Sequence, residues 1–260
     1  MYRSTLLERR RATASAPLET IEHATPEDLR LVVLDCPLEG WDDASVRKLF
    51  GDLVTLKKLG FGASYRDKVL PVDTTDFVGR HYLSCIEEPR GLQVVAGFRT
   101  VDLKRCQLFN LPFPALSLAH SASAPLHAEA VRRFIEQDAT VSYVGSWTIH
   151  PGVNSNQSLR ASLRDHFVLG SILFHREVGV ERLILGATLR FKVDRLLRPV
   201  GYRPLDYEGS PLPPLAAQHL RSEPVQLMYF AGVTANVIKR AEGLHDLWNA
   251  RLTYEGMPTC

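Results

Sequence analysis

Apolar residues recur along the chain in two rhythms, one helical and one strand-like. Thr25-Pro26-Glu27-Asp28 sets a capping residue, a proline and acids at a helix start. Leu29, Val32 and Val33 follow at helical steps towards Cys36, which predicts a first helix. Residues 37–41 break it. Asp42 or Asp43 caps a second helix, on which Val46, Leu49, Phe50, Leu53 and Leu56 recur every three or four residues; Gly60 and Gly62 are expected to end it. Residues 64–79 are polar and turn-like. Residues 81–86 and 92–101 alternate as strands around the turn Glu88-Pro89-Arg90-Gly91, a predicted hairpin. Residues 106–118 are apolar, broken by prolines, and expected as a loop lining a pocket. A helix follows over 125–137.

The second half alternates regularly. Residues 141–149 form a strand ending at His150-Pro151-Gly152, and a polar loop leads into a helix over 158–178 that Gly179 stops. A short strand (181–187), a helix (188–200) ended by Gly201, a strand (225–230) and a final helix (235–252) complete the pattern. The fold class is α/β.

Composition narrows this only broadly. The 260 residues are 45% hydrophobic and 23% charged, ordinary globular values that exclude a collagen, a disulfide knot or a wholly disordered chain. A net charge of +2 points to no nucleic acid, and no apolar run is long enough to span a bilayer. Cys36, Cys85, Cys106 and Cys260 lie far apart with no CxxC pair, so neither zinc nor a disulfide framework is expected, and a reducing cytoplasmic setting is. Residues 1–20, with Arg3, Arg9, Arg10 and Arg11, read as a flexible tail rather than a targeting presequence; residues 21–260 read as one domain.

The candidate chemistry lies where the 141–149 strand meets the following helix. Unpaired N–H groups at a helix start favour an anion such as phosphate, and Asn154, Ser155, Asn156, Gln157 and Ser158 add side-chain donors. Simple N-capping by Ser155 or Ser158 explains the loop equally well. Residues 158–199 hold eight basic residues, Arg160, Arg164 and Arg190 among them, against four acids. This is a landing patch for a phosphate or an acidic partner, or a solvated surface of ion pairs. Arg190 and Asp194 are expected to share a helix face. No nucleophile elbow, HExxH or EF-hand is present, and His166 and His175 fall on opposite helix faces, so no metal site is expected.

The order of elements resembles the GNAT acyltransferase fold. Residues 21–29 look like that family's first strand and its turn into a helix. Ile149-His150-Pro151 resembles the end of its central strand, and Leu197-Arg198-Pro199-Val200-Gly201-Tyr202 the helix end that closes its core. Within the superfamily the likeness is greatest to acyl-homoserine-lactone (autoinducer) synthases and N-acyl amino acid synthases. Asp73, Asp76, Tyr82 and Arg99 resemble their D…D…Y…R run, and residues 195–202 their late R-x-L-R-x-x-G-aromatic element. The chain departs from the pattern in three places. The glycine-rich coenzyme A loop is missing, the common acetyltransferase tyrosine falls at Leu197, and the Glu and Arg of autoinducer synthases fall at Tyr143 and Ser146.

The resemblance implies a GNAT-like mixed central sheet flanked by helices, with a splayed pair of central parallel strands. A phosphopantetheine arm, from acyl-CoA or an acyl carrier protein, would lie in the cleft, with Ser155, Asn156, Gln157, Ser158, Arg160 and Arg190 near its phosphates. The thioester carbonyl would meet backbone N–H groups near Trp147 and Thr148. The acceptor would be a small amine, such as an amino acid or a derivative. Strand alternation puts Ser146, Thr148 and His150 on one face and Tyr143 on the other. His150 could relay the amine proton or simply end a strand. Asp73 and Asp76 could hold a cationic amine or Arg99, which needs a partner inside an apolar strand. Phe98, Phe109, Phe113 and Trp147 could line an acyl tunnel or belong to the core. The alternatives are a catalytically inactive thioester- or effector-binding protein, and an acetyl-CoA-dependent acetyltransferase.

Overall fold

The computed structural model describes residues 18–65, 69–89, 91–137, 140–180 and 182–255. Most of the expected N-terminal tail, Arg90, Glu181 and Cys260 lie outside them. The chain begins with a short helix, α1 (Leu18–His23), and a 3-10 turn (Pro26–Asp28) in which the Asp28 carboxylate accepts from the Thr25 N–H and hydroxyl at 2.8 and 2.9 Å. The capping signal was therefore sound but starts only one turn. Leu29–Asp35 is a strand, β1, not a helix. All of its residues but Arg30 are buried, so its apolar run is that of a strand covered on both faces. The likeness of residues 21–29 to a first strand fails with it, since that stretch is helix and turn.

Helix α2 (Ala44–Tyr65) buries Val46, Leu49, Phe50, Leu53 and Leu56 as expected, but runs through Gly60 and Gly62. Gly60 is there for close packing: a Cβ on it would lie 2.5 Å from Thr148 Cγ2. Asp73 caps a short helix, α3 (Thr74–Val78), inside the segment read as turns. The hairpin forms as β2 (Arg80–Glu88) and β3 (Gly91–Asp102). The expected loop over 106–118 is largely helical, with α4 (Leu103–Leu108) and α5 (Pro114–Ser121) before α6 (Pro125–Glu136). Pro114 sits in the first turn of α5, where its missing N–H costs nothing.

Strand β4 (Val141–Ile149), a 3-10 turn (Pro151–Ser155), α7 (Gln157–Val178) and β5 (Arg182–Thr188) match the expected unit. Gly179 ends α7 in the left-handed region at φ +66°. The next helix is shorter than expected: α8 (Val193–Leu197) follows a turn, and a 3-10 turn (Arg198–Val200) ends at Gly201. Small strands β6 (Tyr202–Pro204), β7 (Asp206–Tyr207), β8 (Ser210–Pro211) and β9 (Leu215–Ala217) precede β10 (Glu223–Phe230). The expected last helix divides into α9 (Ala235–Glu242) and α10 (His245–Asn249), and Leu252 belongs to β11 (Leu252–Glu255), which pairs parallel to β1.

The main sheet runs β11-β1-β2-β3-β4-β5-β10-β6, with β9 also on β10. Alternate residues of its strands face two helix layers. Val32, Leu34, Leu83 and Cys85 pack on α2, and Val101, Val141, Ile184 and Leu227 pack with α5 and α6 on the same side. Leu31, Val33, Tyr82, Val144, Leu183 and Leu185 face α7, α9 and α10 on the other. The C-terminal closure rests on Gly201. Its φ is +109°, and a Cβ there would overlap the Gly232 carbonyl. Gly201→Ala is expected to cost about 2 kcal/mol or more, read as a lowered urea midpoint.

Candidate functional site

Strands β4 and β5 pair in parallel from Val141↔Arg182 to Val144↔Leu185, and there the ladder stops. Gly145–Ile149 and Gly186–Thr188 continue without pairing to each other, so the middle of the sheet is forked. On its other edge β4 pairs with β3, where Arg99 faces Gly145 and Gly97 faces Thr148. Ser146 and Trp147 thus oppose Phe98 alone, which is a β-bulge, and Ser146 sits at φ +57°. A bulge takes backbone N–H groups out of the ladder, here at the mouth of a fork. Such groups can meet a developing oxyanion at no cost in reorganisation.

The bulge also shifts the alternation of side chains. Trp147 joins Val144 on the α7 face and stacks on Phe167, with ring centroids 4.2 Å apart. Thr148 turns towards α2, the side that carries Tyr143. The expected grouping of Ser146, Thr148 and His150 against Tyr143 is therefore wrong, because one extra residue reverses every face beyond it. Tyr143 lies at the apex of the fork, with its ring edge-on to Phe113 at 6.3 Å and its hydroxyl beside Gly186, whose backbone hydrogen-bonds it. Burial raises its pKa, and the Arg99 charge opposes this.

Next to the fork lies a buried chain of charges. Arg99 Nη1 reaches Asp73 Oδ1 at 2.8 Å and Asp76 Oδ1 at 2.7 Å. Lys57, from α2, pairs with Asp76 from behind. Asp76 Oδ2 also accepts the Asp73 N–H at 2.9 Å, and His81 Nε2 lies 2.7 Å from the Asp76 carbonyl oxygen. Lys57, Asp76 and His81 are at most 1% exposed, whereas the Asp73 side chain is 60% exposed, so the chain runs from interior to surface. Gly79 makes room for the stem of Arg99, since a Cβ there would lie 2.7 Å from Arg99 Cδ. Burial pushes the Asp76 carboxyl up, but Arg99 and Lys57 together hold it well below the usual carboxylate range. Burial lowers Lys57 and pushes His81 down to about 3.

The expected Asp73, Asp76 and Arg99 group is thus brought together. Lys57 was missed, although its helical phase places it with Leu53 and Leu56 on the inward face of α2. Other candidates disperse. Phe98 lies on the α7 face, while Phe109 and Phe113 pack in the core on the opposite face, so the three form no common tunnel wall. His150 Nδ1 accepts the Gly152 N–H at 3.1 Å, and burial lowers its pKa; in that tautomer Nε2 carries the proton and can only donate. Asn156 caps α7 through the Leu159 N–H at 3.0 Å and ties α1 down through the Ala24 carbonyl at 2.7 Å. Ser155, Gln157, Ser158 and Arg160 are exposed around it. Arg190 is in the turn after β5, not on a helix. It donates to the Ser64 carbonyl at 3.3 Å, and Asp194 pairs with Arg198 instead.

Among the described residues, no group of three or more His, Cys, Asp or Glu is placed to hold a metal ion, and no helix is long and apolar enough to cross a membrane. No family model matches the sequence, and no curated protein matches it. Solved structures do. BjaI, a CoA-dependent acyl-homoserine lactone synthase with SAM and isopentyl-CoA, is similar over 89% of this chain and 95% of its own, at 11% identity and a TM-score of 0.54. The same synthase with MTA is similar over the same shares at 12% identity and a TM-score of 0.55. In its mixed central sheet and flanking helices, the chain has the GNAT-like fold seen in autoinducer synthases.

Proposed function

We propose that this protein is an N-acyltransferase that moves an acyl group from a cytoplasmic thioester, acyl-CoA or an acyl carrier protein, to a small amine such as an amino acid or its derivative. The observation that carries this reading is the fork between β4 and β5 with a bulge at its mouth. A phosphopantetheine arm is a thin chain of amides. A half-open parallel pair offers it two unpaired backbone edges, in effect a missing strand.

In this reading the amine attacks the thioester carbonyl, whose oxygen gathers negative charge against the bulge N–H groups near Trp147 and Thr148. The C–S bond then breaks, and Tyr143, at the fork apex, gives its phenolic proton to the departing thiolate. Asp73, the exposed end of the charge chain, receives the acceptor as its ammonium, which loses a proton to water before it attacks; the proton shed as the amide forms returns to Tyr143 through solvent, and Arg99 holds the Asp73 carboxylate in place. Ser155, Gln157, Ser158, Arg160 and Arg190 take the phosphates. Positioning supplies most of the rate, and no covalent enzyme intermediate is required.

The test is incubation with acyl-CoA or acyl carrier protein, with and without an amine pool. Free thiol released only when amine is present supports transfer. Tight thioester binding without thiol release identifies a binding protein instead, and turnover confined to acetyl-CoA identifies an acetyltransferase. Tyr143→Phe is expected to lower kcat about a hundredfold with KM little changed. An equal rate in the two proteins would remove Tyr143 from the reaction.

A further inference from the structure

The rim of the fork carries a patch of rings and cations, of which the acyl-transfer reading uses Arg190 alone. It is built from the last two turns of α2 and the turn after β5. Gly60 packs α2 on Thr148 and the Ile149 carbonyl, at the end of β4. Leu189 follows the end of β5 and donates its N–H to the Pro224 carbonyl at 3.1 Å. Lys58, Phe61 and Tyr65 share a face of α2 at helical steps. Phe61 lies edge-on to Tyr65 at 6.3 Å, and Phe191, from the turn, lies edge-on to Tyr65 at 6.1 Å. The Arg190 guanidinium lies over the Phe191 ring at 5.4 Å and also holds the Ser64 carbonyl. A run of three rings thus bridges the two prongs of the fork.

The outer surface of this patch is apolar and cationic at once. Phe191 is 47% exposed, and Leu59, next to Lys58, is 37% exposed. Lys58, Arg190, Lys192, Arg195 and Arg198 are exposed around them. The acids that meet these cations, Asp194 and Glu223, are largely covered: their side chains are 14% and 15% exposed, against 54% for the Arg198 and Arg190 they face. The charge that reaches water is therefore positive. A phenyl ring standing in water among cations gains nothing from a free phosphate or an acidic protein, which the cations alone would hold. It gains by leaving water for hydrocarbon beside headgroups of opposite charge. We propose that this rim docks on an anionic lipid surface, with Phe191 and Leu59 in the interface and the cations on the headgroups. The proposal concerns where the mouth of the fork stands, and it does not require acyl transfer.

The experiment is co-sedimentation of the whole protein with lipid vesicles, without donor or amine. Wild type is expected to pellet with vesicles of phosphatidylcholine and phosphatidylglycerol in equal parts and to stay in solution with phosphatidylcholine alone; added salt weakens the binding. Phe191→Ser is expected to lower the partition coefficient about tenfold, and Lys192→Gln about fivefold. Leu126→Ser removes a comparably exposed leucine from α6 and is expected to bind as wild type does. All three positions are exposed, so an unchanged urea midpoint separates a lost contact from a lost fold. Equal pelleting with neutral vesicles, no pelleting with either, undiminished binding by Phe191→Ser, or an equal loss in Leu126→Ser would overturn the proposal. Binding of acyl carrier protein with no binding of vesicles would overturn it too. Thiol release in the amine assay, run without lipid, reports separately on acyl transfer. Vesicle binding without release sinks the transfer reading alone, and release without vesicle binding sinks the docking alone.

Discussion

Asp76→Ala is expected to cost the fold about 3–5 kcal/mol, because it leaves two buried cations facing each other without their shared anion. Lys57 and Arg99 are at most 3% exposed, and Asp76 is the anion they have in common. Asp73→Ala removes a carboxylate from the same chain but should cost only about 1 kcal/mol, mostly as a lost helix cap, since its side chain is largely in water. Urea unfolding of the two variants checks the contrast; similar losses would mean that Asp76 is not what compensates the two buried cations. Acid should act on the same region. Asp76 titrates below its unfolded value of about 3.9, so its contribution is present above that pH and is lost as pH falls towards the folded value. The histidines act earlier. Burial pushes His81 and His175 down to about 3 and His166 to about 4. Below about pH 6.5 the unfolded chain takes up protons that the folded chain does not. Stability is therefore expected to fall from near neutrality downwards, and a flat urea midpoint between about pH 7 and about pH 5 would contradict this.

Ser146→Val is expected to lower turnover a hundredfold to a thousandfold or so, the range seen when one oxyanion donor is lost. Ser146 holds φ +57°, a region a β-branched residue resists. Valine would draw the strand back to ordinary extended geometry, remove the bulge and turn the N–H groups of the mouth back into the ladder. Ser146→Gly tolerates the same backbone and should keep most of the activity, which separates loss of the bulge from loss of the hydroxyl. If valine and glycine reduce the rate equally, the hydroxyl matters and the bulge does not.

Much of the second half of the fold was legible in the sequence because its signals are local. Gly179 and Gly201 stop helices, and the strand, polar loop and long helix over 141–178 carry their own punctuation. Leu29–Asp35 was misread because a strand buried on both faces has no period of its own, and a true capping signal stood just before it. Leu252 was misread because β11 is a strand only by virtue of β1 beside it. Arg99 was legible as a charge needing a partner inside an apolar strand, and Asp73 and Asp76, in the polar segment before the hairpin, as candidates to bridge to it. The bulge was not, because Gly145-Ser146 has no distinctive residue type, and with it went the facing of Thr148. Phe98 was separated from Phe109 and Phe113 by the sheet itself, and spacing along a chain says nothing about which side of a sheet a distant helix covers.

The central claim is that the gap between the far halves of β4 and β5 is a slot for a thioester-bearing arm. The most direct measurement is a crystal structure with a non-hydrolysable acyl-pantetheine analogue. The account predicts the arm between Gly145–Ile149 and Gly186–Thr188, with the carbonyl oxygen within hydrogen-bond reach of the bulge N–H groups. An arm bound elsewhere, or strands paired beyond Val144↔Leu185 with no room between them, would contradict it.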